Sequence, residues 1–344
     1  MRHRPPDNTL QKPITISLNP HQDLYHTGYL LSAVISAGGR ILIDPGVDPE
    51  VPRIEYEHRT YAVDLRDSSK AYHRATLEAC DIYFKRSYVP ADAPATAHPK
   101  ILPFGLNYAC RTLPCLAQVV ARYGMSLSGA NVWKSFLLSP RPQAFESSSS
   151  EQRKAKVLFQ TRIWPPGEDG AGSEAEEINT FRIRMVQELR RAFGHRFAGG
   201  LFPTPEASAF PELITNMPIR RRQYAAWSRH LAIGVYTRGI HGSNGFKLAE
   251  YLASSKCIVG HALAHTLPQP LGACHLVRES VDEVVAECDG LLSNPTRLYQ
   301  RRLASWHYYQ TQVRYDRRLA MLLQVAGVLP GCQAWAPSVQ PTPD

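Results

Sequence analysis

Two side chains one helical turn apart, Lys247 and Glu250, follow a loop of Gly242, Ser243, Asn244 and Gly245. The stretch "GSNGFKLAEYLASSKCIVG" runs from that loop through an amphipathic helix pattern into a short apolar strand pattern. Ser and Asn are residue types that cap helix N-termini, and glycine lets a ligand come close to the backbone. A helix N-terminus carries unpaired N–H groups and a partial positive charge, which suits a diphosphate. Lys247 would add a full charge there. Glu250, on the same face, offers a carboxylate to vicinal ribose hydroxyls. By spacing alone the commoner outcome is a solvated surface pair, worth roughly 0.3–0.5 kcal/mol.

Such a pair does chemistry only if the chain brings other strand exits beside it. The alternation of elements predicts this. Strand patterns at "ITISLN" (14–19), "RILID", "TYAVDL", "DIYFKRSY" (81–88) and "KILPFG" alternate with helix patterns at 23–39 and in "KAYHRATLEAC". The composition then shifts to "SPRPQAFESSSSEQRK", prolines and serines with little to bury, which reads as a linker over 139–154. The alternation restarts with "AKVLFQTRIW", "INTFRIRMVQELRRAFG", "HRFAGGLF", "RRRQYAAWSRH", "LAIGVYT", "GFKLAEYLASS" and "KCIVG". Ser280 with Glu283 three residues later marks a capping box, and one or two long helices close the chain. The fold class is α/β, with two doubly wound Rossmann-like domains facing a cleft. The expected domains are 13–138 and 155–329, with a loose tail at 330–344. Three exits in the second domain then converge: Gln160–Thr161–Arg162, Gly199–Gly200 and Arg238–Gly245.

Composition narrows the classes. No run of 18 apolar residues occurs, so no membrane-spanning helix is expected, and no apolar stretch follows "MRHRPPDNTLQKP" that would suit a secretory signal. The seven cysteines are scattered without a CxxC and fit free thiols of a cytoplasmic protein; only Cys110 and Cys115 are near enough in sequence to meet. The net charge of +9, with arginine clusters at 190–191, 220–222 and 317–318, favours anionic partners. Nucleic acid is not expected, since no binding motif accompanies the charge. Contact of a basic face with the inner membrane fits it. His261 and His265 have metal spacing only on a helix, but "GHALAHTLP" reads as a loop, and no metal is expected. Trp306, Tyr308 and Tyr309 read as packing residues.

The stretch "GIHGSNGFKLAEYLASSKCIVG", continued by "VRESVDEVVAECDGLLSNPTRLYQRRLASWHYYQTQVRYDR", resembles the nucleotide-sugar-binding half of group 1 glycosyltransferases of the GT-B fold. It shares the Gly-rich loop, K-x-x-E-Y-L-A, a small-residue turn, an apolar strand, an S-x-D-E helix, an L-L-S-N-P turn and a late Y-Y. The resemblance covers about residues 155 to 325 and implies a nucleotide-diphosphate sugar donor and a glycan or glycolipid acceptor. Glu250 would hold the ribose. Lys247 and Arg162 would neutralise the diphosphate with the N–H groups of Ser243, Asn244 and Gly245. Gly199 and Gly200 would lie by the base. Positive groups aimed at the leaving diphosphate stabilise its developing charge, and the absence of a D-x-D triplet agrees with a metal-independent site. No cofactor is expected.

One departure bears on mechanism. Many retaining members carry a glutamate eight positions before the ribose glutamate, and here that position is Gly242. An inverting enzyme needs a general base in the first domain. Asp23 and His26 after the first strand, and Asp64 and Asp67 in "VDLRDSS", are the candidates; Asp67 is preferred because it should end a strand. Each is equally a cap, turn or surface residue. Lys85 and Arg86 end another strand and would reach an anionic acceptor. Two other classes stay open: a nucleotide-sugar epimerase, needing no acceptor, and a non-catalytic relative that only binds the nucleotide sugar.

Overall fold

The computed structural model describes residues 13–95, 97–123, 130–151, 153–168 and 171–325. The first domain opens with β1 (Thr15–Leu18) and α1 (Leu24–Ser36), whose N-terminus is capped by Asp23 accepting from the amides of Tyr25 and His26. β2 (Arg40–Ile43), β3 (Arg53–Tyr56), β4 (Arg59–Asp64), α2 (Arg74–Ala79), β5 (Ile82–Lys85), β6 (Ile101–Pro103), α3 (Leu113–Tyr123) and α4 (Ala130–Leu138) follow. The sheet order is β2-β1-β3-β4-β5-β6. Every pairing is parallel except those of β3, which runs against both β1 and β4. The carboxyl ends of β1, β4 and β5 therefore share one edge.

The second domain is built from β7 (Lys154–Thr161), α5 (Ser173–Phe193), β8 (Phe197–Leu201), α6 (Arg221–Ser228), β9 (Leu231–Tyr236), α7 (Phe246–Ala253), β10 (Cys257–Gly260), β11 (His275–Val277), α8 (Val281–Ser293) and α9 (Pro295–Tyr308). Its sheet, β11-β10-β9-β7-β8, is parallel throughout. β8 builds on one side of β7 and β9 on the other. The strand order thus reverses at β7, and the exits of β7 and β9 flank the crevice where such sheets take ligands. The structure thus holds two α/β domains, each built on its own sheet and joined through residues 139–154. Ser280 and Glu283 form the expected capping box on α8.

Two expectations need correction. The last helix, α10 (Tyr315–Val325), does not stay with the second domain. After a π-helical turn at Tyr309–Val313 the chain returns to the first domain, where the buried Arg318 donates to the carbonyls of Phe104 (2.8 Å) and Leu106 (2.5 Å) and to the Tyr29 hydroxyl (3.1 Å). The 139–154 segment is not loose chain either. Ser147, Ser149 and the Arg153 side chain are buried. The Ser147 amide donates to the Ala253 carbonyl and its carbonyl accepts from the Ser255 hydroxyl, while Arg302 donates to the carbonyls of Ser149 and Glu151. The segment can be buried because groups of the second domain satisfy its backbone, while the Ser147 hydroxyl is taken up by Glu151 within the segment.

One apolar cluster runs from β1 and α1 through Tyr108 and Phe145 to α7 and β10, so the domains share packing as well as a crevice. Tyr309 joins them by hydrogen bonds to Tyr108 (3.0 Å) and Glu146 (2.7 Å), and Tyr308 donates to the Gln269 carbonyl. Cys110 and Cys115 are buried free thiols. The tail at 330–344 lies outside the described residues. No described helix is long and apolar enough to cross a membrane.

Candidate functional site

Lys247 and Glu250, on α7, both meet residues of α6. Glu250 is 2% exposed, and Lys247 sits with its ammonium 3.8 Å from Glu250 Oε2 and 3.5 Å above the Tyr224 ring. Burial pushes the Lys247 pKa down to about 8, against the pull of Glu250, and Arg221 pushes the same way. Glu250 does not stand open, however. Arg221, at the start of α6, makes an ion pair with its Oε1, and Oε2 is buried without a hydrogen-bond partner.

The loop before α7 is held differently from the sequence expectation. Gly245, not Ser243 or Asn244, is the N-cap of α7, and no side chain caps that helix. Ser243 and Asn244 are buried: the Ser243 carbonyl accepts from the Gly239 amide, and the Asn244 side chain donates to the His265 carbonyl (3.3 Å). His241 and Gly242 both have left-handed φ, 58° and 66°. Successive residues in that conformation turn their amides to one side, making a small anion nest. Both amides donate to the carboxylate of Glu174, from the first turn of α5, at 3.1 and 3.2 Å. A Cβ at Gly242 would crowd Ala264, so glycine fits by packing as well as by φ.

Gly199 and Gly200 are not open to a ligand. Both are buried with φ of 130° and 135°. A Cβ would overlap the Phe159 carbonyl at the first, and the Leu213 carbonyl at the second. Asn216 closes over Gly199 by accepting from its amide at 3.0 Å. These glycines let strand and loop backbones meet, so packing accounts for both without a ligand.

Arg162 stacks on Trp164, its guanidinium 3.4 Å from the ring centroid. Two further arginines join it: Arg182, which the sequence did not single out, and Arg238, the first residue of the third strand exit. Arg182 is buried and donates to the carbonyls of Arg162 (2.8 Å) and Arg238 (3.0 Å); burial and Arg162 lower its pKa to about 10. Arg238 pairs with Glu279 at 3.1 Å. Arg182 carried a signal, since it falls on the buried stripe of α5 with Met185, Val186 and Leu189. A charge in that register is buried for a reason. His261 lies by Phe181 and Arg238 and His265 is buried among other groups, so the two histidines do not converge.

The first domain brings four residues to this point. Arg86 is buried; it pairs with Asp67, hydrogen-bonds Asn107 (3.0 Å), and crosses to the second domain by donating to the Asn244 carbonyl at 2.8 Å. Asp67, the preferred base, is thus engaged by a guanidinium of its own domain that also reaches across to the second. Asp64 is further from any such role: fully buried, it is filled by Arg66, Lys85 and Tyr83. Lys85 is buried with it and reaches no crevice. Asp23 and His26 differ. Asp23 Oδ2 meets His26 Nδ1 at 2.6 Å, with each side chain about half exposed. Burial raises the Asp23 pKa, but the hydrogen bonds from the His26 side chain and backbone outweigh it and the net shift is downward. The His26 ring lies 5.5 Å from that of Phe246, the first residue of α7, and Tyr25 lies 6.2 Å from it and 5.7 Å from the Arg221 guanidinium. The histidine of one domain therefore looks onto the helix N-terminus of the other.

No family model matches the chain, and no curated protein does. Solved structures are similar to it at low identity. The C-terminal domain of a glycosyl transferase group 1 family protein from Francisella tularensis aligns with 50% of this chain and 96% of its own, at 14% identity and a TM-score of 0.35. A UDP complex of MnaA from S. aureus aligns over 94% of this chain and 99% of its own, at 10% identity and a TM-score of 0.42. Sucrose-phosphate synthase from Thermosynechococcus elongatus aligns over 92% and 98%, at 10% identity and a TM-score of 0.39. At these scores the likeness concerns the course of the chain and not its chemistry.

Proposed function

We propose that the protein transfers a glycosyl group from a nucleotide-diphosphate sugar to a hydroxyl of a glycan or glycolipid, by direct inversion and without a metal, in building a surface glycan on the cytoplasmic side of the membrane. The observation that carries this is the Asp23–His26 pair opposite the uncapped N-terminus of α7. A carboxylate on Nδ1 fixes the tautomer with Nδ1 protonated, and Nε2 is left to accept a proton. His26 takes the acceptor hydroxyl proton as the oxygen bonds to the anomeric carbon. The bond from that carbon to the diphosphate breaks, and its electron pair leaves on the diphosphate oxygen. Lys247, Arg162, Arg238 and the α7 N-terminus meet the charge that builds there. Glu250 takes the ribose hydroxyls. Arg221 must release it first, and Glu174 must likewise leave the amides of His241 and Gly242. Asp23 is the orienting residue, and Asp67 holds Arg86 across the domain contact rather than moving protons.

The test is a thermal-shift screen of nucleoside diphosphates and nucleotide sugars, repeated with Glu250→Ala, followed by incubation of the stabilising donor with and without candidate acceptors. One nucleoside diphosphate should raise Tm, the variant should lose most of the rise, and donor should be consumed only with an acceptor. Unchanged melting with every nucleotide would overturn the reading. Conversion of the sugar in donor alone would replace it with isomerisation, and binding without turnover on any acceptor would replace it with a carrier role.

A further inference from the structure

Away from the crevice, between α3, the end of α4 and the start of α6, lies a cavity of about 460 Å³ lined by Arg111, Arg141, Arg222, Leu113 and Pro140 among others. No carboxylate lines it. Arg111 is buried, and it spends donors on the carbonyls of Phe136 (3.1 Å) and Leu137 (2.8 Å); Arg222 also donates to Leu137 (2.9 Å). Those bonds close the end of α4, but helix carbonyls carry only a fraction of a charge. Among the described residues no carboxylate pairs with these three cations: burial lowers the pKa of Arg111, and Arg222 and Arg141 lower it further. The sequence makes the imbalance regional. From residue 93 to residue 145 there is no aspartate or glutamate, while Arg111, Arg122, Lys134 and Arg141 fall within the span.

Exposed apolar side chains stand on the helices that bound this cavity, and one of them, Leu113, lines it. Leu113 (50% exposed), Val120 (43%), Leu137 (41%) and Leu138 (53%) stand in solvent. Leu113 and Val120 are seven residues apart on α3, hence on one face, with Ala117 exposed between them. Leu137 and Leu138 end α4, beside the carbonyl that both Arg111 and Arg222 grip. Exposed leucines around uncompensated arginines match one chemistry, an anionic headgroup with hydrocarbon beneath it. A second copy of this chain would set the same cations against each other, and a free anion would leave the leucines without a partner.

From this we infer that the α3–α4 face docks on an anionic phospholipid bilayer, with a lipid phosphate entering the Arg111–Arg141–Arg222 cavity and the leucines reaching the acyl boundary. None of its residues is among those assigned to the donor site, and its test needs no turnover. The full-length protein is floated with vesicles of phosphatidylcholine alone or mixed with phosphatidylglycerol, at low and high salt. Binding should require phosphatidylglycerol and fall with salt. Arg141→Glu with Arg222→Glu should weaken it by about tenfold or more, and Leu113→Ser with Leu138→Ser should weaken it at low salt with the arginines intact. Unchanged Tm and circular dichroism certify both variants, since all four side chains are exposed or on the rim. Absence of binding at low salt, equal binding to phosphatidylcholine, or an unaffected leucine variant would overturn the proposal, the last reducing the face to a soluble-anion site. Concentration-dependent dimerisation lost in the leucine variant, without vesicle binding, would assign the face to self-association instead.

Discussion

Lys247 offers a test that reads the proposed donor site through protons. Its ammonium sits over the Tyr224 ring, 3.8 Å from a carboxylate oxygen that has no hydrogen bond of its own. Its pKa of about 8 lies more than two units under that of a free lysine. A nucleoside diphosphate bound beside it restores the charged form, because an anion in a partly dry site favours the ammonium. Binding above pH 8 must then draw one proton from solvent. Each pH unit beyond that point costs about 1.4 kcal/mol of affinity, or roughly tenfold in Kd, while below pH 7 the affinity is flat with respect to this group. Titration calorimetry near pH 9, in buffers of different ionisation heat, should report uptake of about one proton per diphosphate, and close to none from Lys247 near pH 6.5. Lys247→Met should bind more weakly at neutral pH and lose the alkaline slope. Glu250→Gln removes the group that holds the pKa up, so the onset should move below pH 8. A wild-type Kd unchanged from pH 7 to pH 9, or a slope that survives Lys247→Met, would refute the assignment.

Three further outcomes follow from the same coordinates. His26→Gln should lower kcat by roughly a hundred- to ten-thousandfold with the nucleoside diphosphate Kd unchanged, whereas Asp67→Asn should act through Tm and domain contact more than through a pH-rate profile. Burial holds His265 and His275 at about 4, below the unfolded value near 6.5. Both are neutral when folded and gain protons on unfolding, so stability is whole above pH 6.5 and lost as pH falls toward 4, by up to about 3 kcal/mol for each. Urea titrations across that window should show the slope, and His265→Gln should reduce it. Gly199→Ala places a Cβ against the Phe159 carbonyl at a backbone angle that side chains rarely adopt. Its cost should exceed about 3 kcal/mol and appear as lost soluble protein, with no selective effect on nucleotide affinity.

Much of this architecture is written in periodicity, and the misses have local causes. β3 escaped because "RIEY" is short and half charged, and because its hairpin to β4 turns on Glu57 and His58, both with positive φ, instead of Asn-Gly. The serine-rich connector looked loose because composition does not reveal which backbone groups a serine will meet. Lys247 and Glu250 were legible as a pair, and the structure buries Glu250 rather than leaving the pair in solvent. Their masking by Arg221 was not legible, since it depends on partners 29 positions apart in sequence folding back on one another. The choice between Asp67 and His26 also turned on partners. Asp67 does lie just past the end of β4, as expected, but a strand exit does not say whether an arginine waits there.

The return of α10 to the first domain changes what counts as half of this molecule. Tyr29 hands its hydroxyl proton to the Val313 carbonyl and receives Arg318, and the α1 face beneath them is among the driest surfaces in the chain. A fragment cut at residue 138 would leave that face greasy and wet, and a fragment begun at 155 would carry an unmoored helix with a guanidinium seeking carbonyls. Neither lobe is an exportable module. Any unit that is excised, swapped or fused must keep α1 and α10 together, like the two halves of a clasp.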